Sequence, residues 1–457
     1  MQATTAREPG CDRATVGLSW PAMSSKDTRV TGPSRAEACA PVDVAVVGGG
    51  PAAWLLAEAL ATRGRSIAVV APLEREAAMP VFGAFHDEIV DGPLARFVAR
   101  TFARPRVAFD ADGRGVVRTL ARVYARVDGA RLIDTIARGL GERVARVGIA
   151  ARGLDEVAPR STVRLVDERV VHARAVVDAS GHRPVFDDAH GASPTAFQTA
   201  FGAVVDGPLD ALTDDDMVFM DWRGAPDDGG PPSFVYAMPE GDGRWFVEET
   251  ALAARPAVTF DLLESRLRAR VRRAGRHFVD DGPIERCRIP LDPNVPSPMR
   301  AAAPFGASLG IVHPATGYLL AESARLVSTV ADAIVRALDD GGATTRSVAR
   351  AVVDAVWTPE RLRAHALLRA GAEIVMAMDH RSVARFFDAF FECDVDVWSP
   401  YLIASSSDRA IARAMWAVFV RADLATKARL MGAVTDPALR RALRGLVKDA
   451  KGHAPRA

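Results

Sequence analysis

Nowhere in its 457 residues does this chain carry a run of about 18 consecutive apolar residues, the length a helix needs to cross a bilayer. A spanning helix is therefore not expected. Cysteine is scarce and scattered: Cys11, Cys39, Cys287 and Cys393 form no C-x-x-C pair and have no histidine beside them at ligand spacing. Neither a zinc site nor a disulfide framework is signalled, no metal is expected, and a reducing, cytoplasmic compartment fits. Surplus charge is missing as well, the net value being +1. Attraction to phosphate at a distance needs a basic excess, so nucleic acid is not an expected partner. The first 40 residues lack an apolar core and mix Pro, Gly, Ser, Thr and both signs of charge. They are neither a secretory signal nor a transit peptide and read as disordered.

What is present is an ordinary globular composition, 49% hydrophobic and 25% charged, long enough for two or three domains. The first strong element is an apolar strand, Val42 to Val47, followed by Gly48-Gly49-Gly50-Pro51, a helix from Ala52 to about Arg63, and a second strand, Ser66 to Val70. Gly48, Gly50 and Ala53 occupy the three positions of a G-x-G-x-x-A dinucleotide fingerprint. Glycines there let backbone approach a pyrophosphate, and the helix start offers free N–H groups and a positive dipole end. The acidic residue expected at the end of the second strand, for the ribose hydroxyls, is Ala71 here; Glu74, in the loop beyond, is its candidate substitute.

Later segments return to the same region. Arg174 to Asp178 is a strand running into the small-residue turn Ala179-Ser180-Gly181, marking Asp178 and Gly181 as cofactor-side residues. Phe305 to Tyr318, containing Gly310, His313 and Gly317, precedes a long amphipathic helix and resembles the closing flavin-contacting segment of FAD-dependent enzymes. His313 is read as a structural loop residue in preference to an acid. Between these, residues 187–288 change to short strand-like runs separated by Asp-, Gly- and Pro-rich turns, a sheet inserted to roof a substrate cavity. After about residue 346 the chain is helical, with Trp357-Thr358-Pro359-Glu360 as a helix start, and the tail from Lys448 frays. The expected domains are 41–186 with 289–345 for the cofactor, 187–288 for the substrate sheet, and 346–457 for the helices.

Within the sheet region stands Phe246-Val247-Glu248-Glu249-Thr250. Strand neighbours point to opposite faces, so one glutamate can look into a pocket while the other looks away. A carboxyl facing an apolar pocket has a raised pKa and can stay protonated near neutrality, which makes it a proton donor. Three roles stand open for Glu249: positioning Glu248, binding a water, or a structural one.

These residues resemble the lycopene cyclases of the plant and cyanobacterial type, whose F-L-E-E-T motif is matched by Phe246 to Thr250 and continued by Ala251 to Pro256. Met217 to Arg223, Pro232 to Pro239, Phe197 to Gly202, Gly83 to Glu88, Gly310 to Tyr318 and Arg385 to Phe391 resemble the adjoining family segments, covering about residues 42–408. The family's P-M-G-G stretch is replaced by Leu291-Asp292-Pro293-Asn294. The resemblance implies a Rossmann-like FAD-binding α/β fold of the hydroxybenzoate-hydroxylase and geranylgeranyl-reductase kind. It further implies non-redox closure of the linear ends of lycopene or a related carotenoid to β-type rings, an isomerase chemistry, with FAD in its reduced form and NADPH as reductant.

On that expectation Glu248 protonates the terminal alkene, Glu249 assists, and Asp221 is a candidate base, with Asp87 and Glu88 behind it. Phe219, Trp222 and Phe246 are the expected pocket aromatics. A bilayer-dwelling hydrocarbon implies peripheral membrane association, with the aromatic stretches Phe386 to Phe391 and Val395 to Ile403 as candidate contacts, although interhelical core is the safer reading of each alone. Oligomeric state is not legible. Two rivals stand: a FAD-dependent monooxygenase or reductase acting on an isoprenoid or polyketide, and a carotenoid- or flavin-binding protein without catalysis.

Overall fold

The structure is a computed structural model that describes residues 39–72, 80–110, 115–157, 160–186, 195–224, 228–292, 294–340, 343–424 and 426–428. Residues 1–38 of the expected N-terminal segment, Glu74 and the C-terminal tail lie outside the described residues.

The first strand is longer than the sequence suggests, Cys39–Val47, with a register irregularity between Cys39 and Val42. It sits in the middle of a mixed sheet. Ile67–Val70 and then Val144–Val147 lie parallel on one side, and on the other runs Val170–Asp178, also parallel and joined by the short strand Ala303–Pro304. Arg160–Leu165 and Ala151–Val157 extend that side as an antiparallel edge. The central strands are apolar on both faces because both are covered, as parallel strands require. Helices Pro51–Ala61, Gly129–Leu140, Leu320–Asp339 and Thr345–Val356 bury Val44, Val46, Val69 and Val177 from one side. The opposite residues Ala45, Val47, Ala68 and Val70 pack with Val163, Leu165 and Val171.

A second sheet runs in the order Ile284–Pro290, Phe197–Val205, Arg244–Ala254, Phe234–Gly241, Asp216–Asp221, Arg104–Phe109, Val116–Thr119. The last two strands come from far upstream of the region where the sequence suggests a sheet. Arg104–Phe109 pairs parallel to Asp216–Asp221, a long-range pairing that local patterning does not reveal. One face is sealed by helix Phe260–Arg273, whose Leu263, Leu267 and Val271 pack on Phe201, Trp245, Val247 and Ala251. The other face looks toward the first sheet's helix-start side and the C-terminal helices.

Those helices are Pro359–Met376, His380–Phe391 and Asp408–Arg421. The start expected at Thr358-Pro359 is observed: the Thr358 side chain accepts from the Arg361 N–H, and Pro359 sits where no N–H is needed. Phe387, Phe390, Phe391 and Trp398 pack with Phe219, Trp222 and Phe234 of the second sheet in one aromatic core. No helix among the described residues is long and apolar enough to cross a membrane.

Candidate active site

The strand Cys39–Val47 delivers the chain to Gly48, whose φ is +136° and whose absent Cβ would fall 2.2 Å from the Ala179 carbonyl oxygen. Only glycine fits there, because the turn passes directly against the end of the neighbouring strand. At Gly50 the added Cβ would meet nothing within 4 Å: this turn opens onto empty space. Helix Pro51–Ala61 begins there with no side chain capping its N–H groups. Ala53 is fully buried, its small side chain letting the helix lie close to the sheet.

Gly181, φ +110°, is likewise open, and Gly317, φ +74°, leaves room for the Gln198 side-chain oxygen 2.4 Å from its missing Cβ. Gly50, Gly181 and Gly317 therefore face one cavity of about 550 Å³, together with Ser180, Gly306 and Ala307. An exposed helix start, glycine-walled on three sides, suits a dinucleotide such as FAD.

The remaining cofactor-side candidates act from behind this wall. Asp178 is buried and accepts from the N–H and hydroxyl of Ser180, at 3.1 and 2.6 Å, and from the Phe186 N–H at 3.1 Å. Gly310, φ +73°, is pressed against the Asn294 carbonyl, 3.0 Å from where its Cβ would be. His313 is fully buried, and burial lowers its pKa to about 4, so the ring is neutral. Its Nδ1 accepts from the Ala315 N–H at 3.1 Å, so the proton sits on Nε2 and is donated to the Tyr401 carbonyl at 2.9 Å. It pins the closing segment and is not an acid.

The opposite wall is the second sheet. Glu248, Thr250 and Leu252 share the cavity face of Arg244–Ala254 at the period of two that a strand dictates. Burial, and then the charge of Glu285, raise the Glu248 pKa to about 8, although the Thr250 hydroxyl donates to its carboxyl at 2.5 Å. It is a protonated acid at neutrality.

Glu249 lies on the other face, wholly buried beneath helix Phe260–Arg273. There it pairs with Arg270 at 2.7 Å and accepts from the Ser233 hydroxyl at 2.5 Å. Strand alternation separates it from the cavity, so of the three roles open to it the structural one is the one its contacts fit.

Other expectations are corrected by packing. Asp221 turns away to Arg223, 2.8 Å distant, in a smaller pocket lined also by Arg270 and Arg273. It does not reach the cavity. Asp87 and Glu88 are held by Arg122 at 2.5 and 3.0 Å, in an ion-pair network that continues to Arg325. Of the three expected pocket aromatics only Phe219 lines the cavity, 5.5 Å centroid to centroid from Tyr124. Trp222 stacks behind on Phe387 at 5.7 Å, and the Phe246 ring fills the place of a Cβ on Gly202. The aromatic stretch expected at a membrane is mostly interior: Phe387, Phe390, Phe391, Trp398 and Leu402 are buried, and the Phe386–Phe391 rings line the cavity.

Two features escaped the sequence reading. Glu285, on Ile284–Pro290, lines the same cavity as Glu248; alternation through Glu285, Cys287 and Ile289 was the available signal. The chain has four tyrosines, and all of them, Tyr124, Tyr236, Tyr318 and Tyr401, line this cavity. The Tyr124 and Tyr318 hydroxyls lie 3.3 Å apart, and burial holds all four phenols neutral by raising their pKa values.

Comparison with known proteins agrees with this geometry. The family model described as "Lycopene cyclase protein" matches residues 43–428. A chloroplastic lycopene beta cyclase of Arabidopsis thaliana is 32% identical over 79% of this chain and 74% of its own length. A Deinococcus radiodurans protein described as an uncharacterized carotenoid cyclase is 32% identical over 83% and 90%. Among solved structures, a geranylgeranyl bacteriochlorophyll reductase-like protein from Thermoplasma acidophilum superposes with a TM-score of 0.63 at 14% identity, covering 82% of this chain and 96% of that one. A flavin-dependent brominase gives 0.55 at 12% identity, covering 86% and 98%. The fold is therefore shared with this reductase-like protein and the flavin-dependent brominase, and the chain belongs to the lycopene cyclase family.

Proposed function

We propose that this chain closes the linear end groups of lycopene or a related carotenoid into β-type rings, with no net change of oxidation state. The observation that carries the reading is Glu248: a carboxyl with a pKa raised to about 8, aimed into a cavity walled by aromatics and continuous with a dinucleotide turn. An alkene is a poor base, and the cation its protonation makes would be captured by water. The acid must therefore be strong enough, close, and dry. Phe219, Phe234, Phe386 and Phe390 line the cavity with the carboxyl and would exclude water from it.

Glu248 gives its proton to the terminal double bond, the chain closes on the resulting cation, and loss of a ring proton fixes the double bond. Each ring face turned to the cation, Phe219 and Tyr236 among them, adds about 0.5–2 kcal/mol of stabilisation. FAD in its reduced form, with NADPH as reductant, would supply a fixed negative charge facing the cation. Gly50, Gly181 and Gly317 would hold it by close backbone approach. On this reading the described residues of 41–186 and 289–345 carry the cofactor, those of 187–288 with the borrowed strands at 104–109 and 116–119 roof the substrate, and those of 346–457 close the cavity. The substrate resides in lipid, so peripheral membrane contact in the cytoplasm completes the proposal. Trp416, 65% exposed, and Leu424, 85% exposed, are candidates for that contact.

The test is anaerobic incubation of the protein with lycopene in liposomes, FAD and NADPH, followed by separation of the carotenoids. A cyclic product of unchanged hydrogen count supports the reading. Tight FAD binding with lycopene untouched sinks it and leaves oxygen- or hydride-dependent turnover of another isoprenoid in its place.

A further inference from the structure

A second carboxyl faces Glu248 across one strand. In the register of the second sheet Gly202 is paired on one side with Glu248 and on the other with Glu285, so the two glutamates occupy one rung and point to the same face. Two strand spacings put their backbones about 9.5 Å apart. The residue between them has no side chain, and the Phe246 ring lies in its place as an apolar spacer. Both carboxyls line the same cavity. Glu285 is also held in position, one oxygen accepting from the Val81 N–H at 2.9 Å, while the second remains for a proton.

Ring closure adds a proton at one carbon and removes one from another, so a complete cycle needs a base as well as an acid. Asp221, Asp87 and Glu88 are engaged elsewhere by arginine. Resting on the cyclase reading above, we propose that Glu285 is this base. The Glu248 O–H bond breaks and its proton joins the terminal π pair as a new C–H bond. The next π pair closes the ring and leaves a ring cation. A neighbouring ring C–H bond then breaks: its electron pair becomes the ring double bond and its proton passes to the Glu285 carboxylate. Release of that proton from Glu285 to solvent and uptake of one by Glu248 after the product leaves reset the pair, and the product is an isomer of the substrate.

The surroundings sort the two roles. Burial raises Glu285 to about 6, less than Glu248, because the Val81 N–H and the Arg126 charge favour its ionised form. The other titratable groups facing the pair, the Cys287 thiol and the Tyr236 and Tyr124 phenols, are kept neutral by burial and by the carboxylate charge. Two such carboxyls titrate as a pair, and the Val81 N–H and the Arg126 charge favour the negative charge on Glu285.

The experiment compares wild type, Glu285→Gln and Glu285→Asp, each loaded with FAD, in the anaerobic liposome assay from acid to alkaline pH. The expected result for Glu285→Gln is a loss of about 10²–10⁴-fold in ring formation with flavin absorbance and Tm unchanged. Its residual product should be enriched in ring double-bond isomers, and the acid limb of the pH profile should vanish. Glu285→Asp should retain most of the activity and the limb. Wild-type rate and product from Glu285→Gln would overturn the proposal. Should that variant fail to fold, a wild-type profile with no acid limb overturns it equally. A wild type that forms no ring at all defeats the cyclase reading itself, a distinct result.

Discussion

Two adjacent glutamates on one strand live in opposite worlds. On the cavity face, Glu248 has a hydroxyl and no cation beside it, and desolvation raises its pKa; on the covered face, Glu249 is wholly buried and locked to Arg270 and Ser233. A buried carboxylate with a cation is a strut, whereas a buried carboxyl without one is an acid. The pair separates chemistry from stability within two consecutive residues, and substitutions should separate them in the same way.

The largest effect expected is on turnover. Glu248→Gln removes the proton but keeps the shape, and ring formation should fall about 10²–10⁴-fold or below detection while FAD absorbance persists. Undiminished cyclisation would remove Glu248 from the mechanism. Glu249→Gln should act oppositely. Leaving Arg270 buried without its partner should cost about 3–5 kcal/mol of unfolding free energy in urea titration, with activity per folded molecule largely kept. Loss of activity without loss of stability would erase the contrast between the two faces.

The comparison also has a pH signature. Glu248 has a folded-state pKa raised from 4.5 to about 8, so the folded protein binds more protons than the unfolded one across that interval. Its contribution to stability is complete below about 4.5 and is lost as the pH rises through about 8. Glu248→Gln should therefore melt higher than wild type at pH 9 and show little gain at pH 4, whereas Glu249→Gln should melt lower than wild type at pH 9. Equal Tm shifts at the two pH values would mean that Glu248 carries no buried titration.

The same two faces show how far the sequence could be read. Alternation along Arg244–Ala254 told that the two glutamates part company, and the dinucleotide turn followed from glycine spacing. Membership of Glu285 in the site did not follow, because it depends on which strand pairs with Phe197–Val205. Trp222 and Asp221 were misplaced for the same reason. Their strand was legible, but the stacking of Trp222 on Phe387 and the turning of Asp221 to Arg223 are tertiary facts. The aromatic stretch at 386–391 looked like a membrane face because a helix rich in phenylalanine is equally suited to lipid and to a cavity wall.

The smallest expected effect sharpens the cavity side. Tyr318→Phe deletes one member of the Tyr124–Tyr318 hydroxyl contact, 3.3 Å long, and leaves the ring that walls the cavity in place. A single neutral contact of this length is worth about 0.5–1.5 kcal/mol. Stability should change by no more than that, and cation stabilisation by the ring face should survive, so ring formation should drop less than about tenfold. Tyr318→Leu removes the π face as well and should lower turnover further at matched stability. If the two variants were indistinguishable, the tyrosine would serve the cavity through its bulk alone, and the acid Glu248 would be working in a site whose aromatic wall is simply a seal against water.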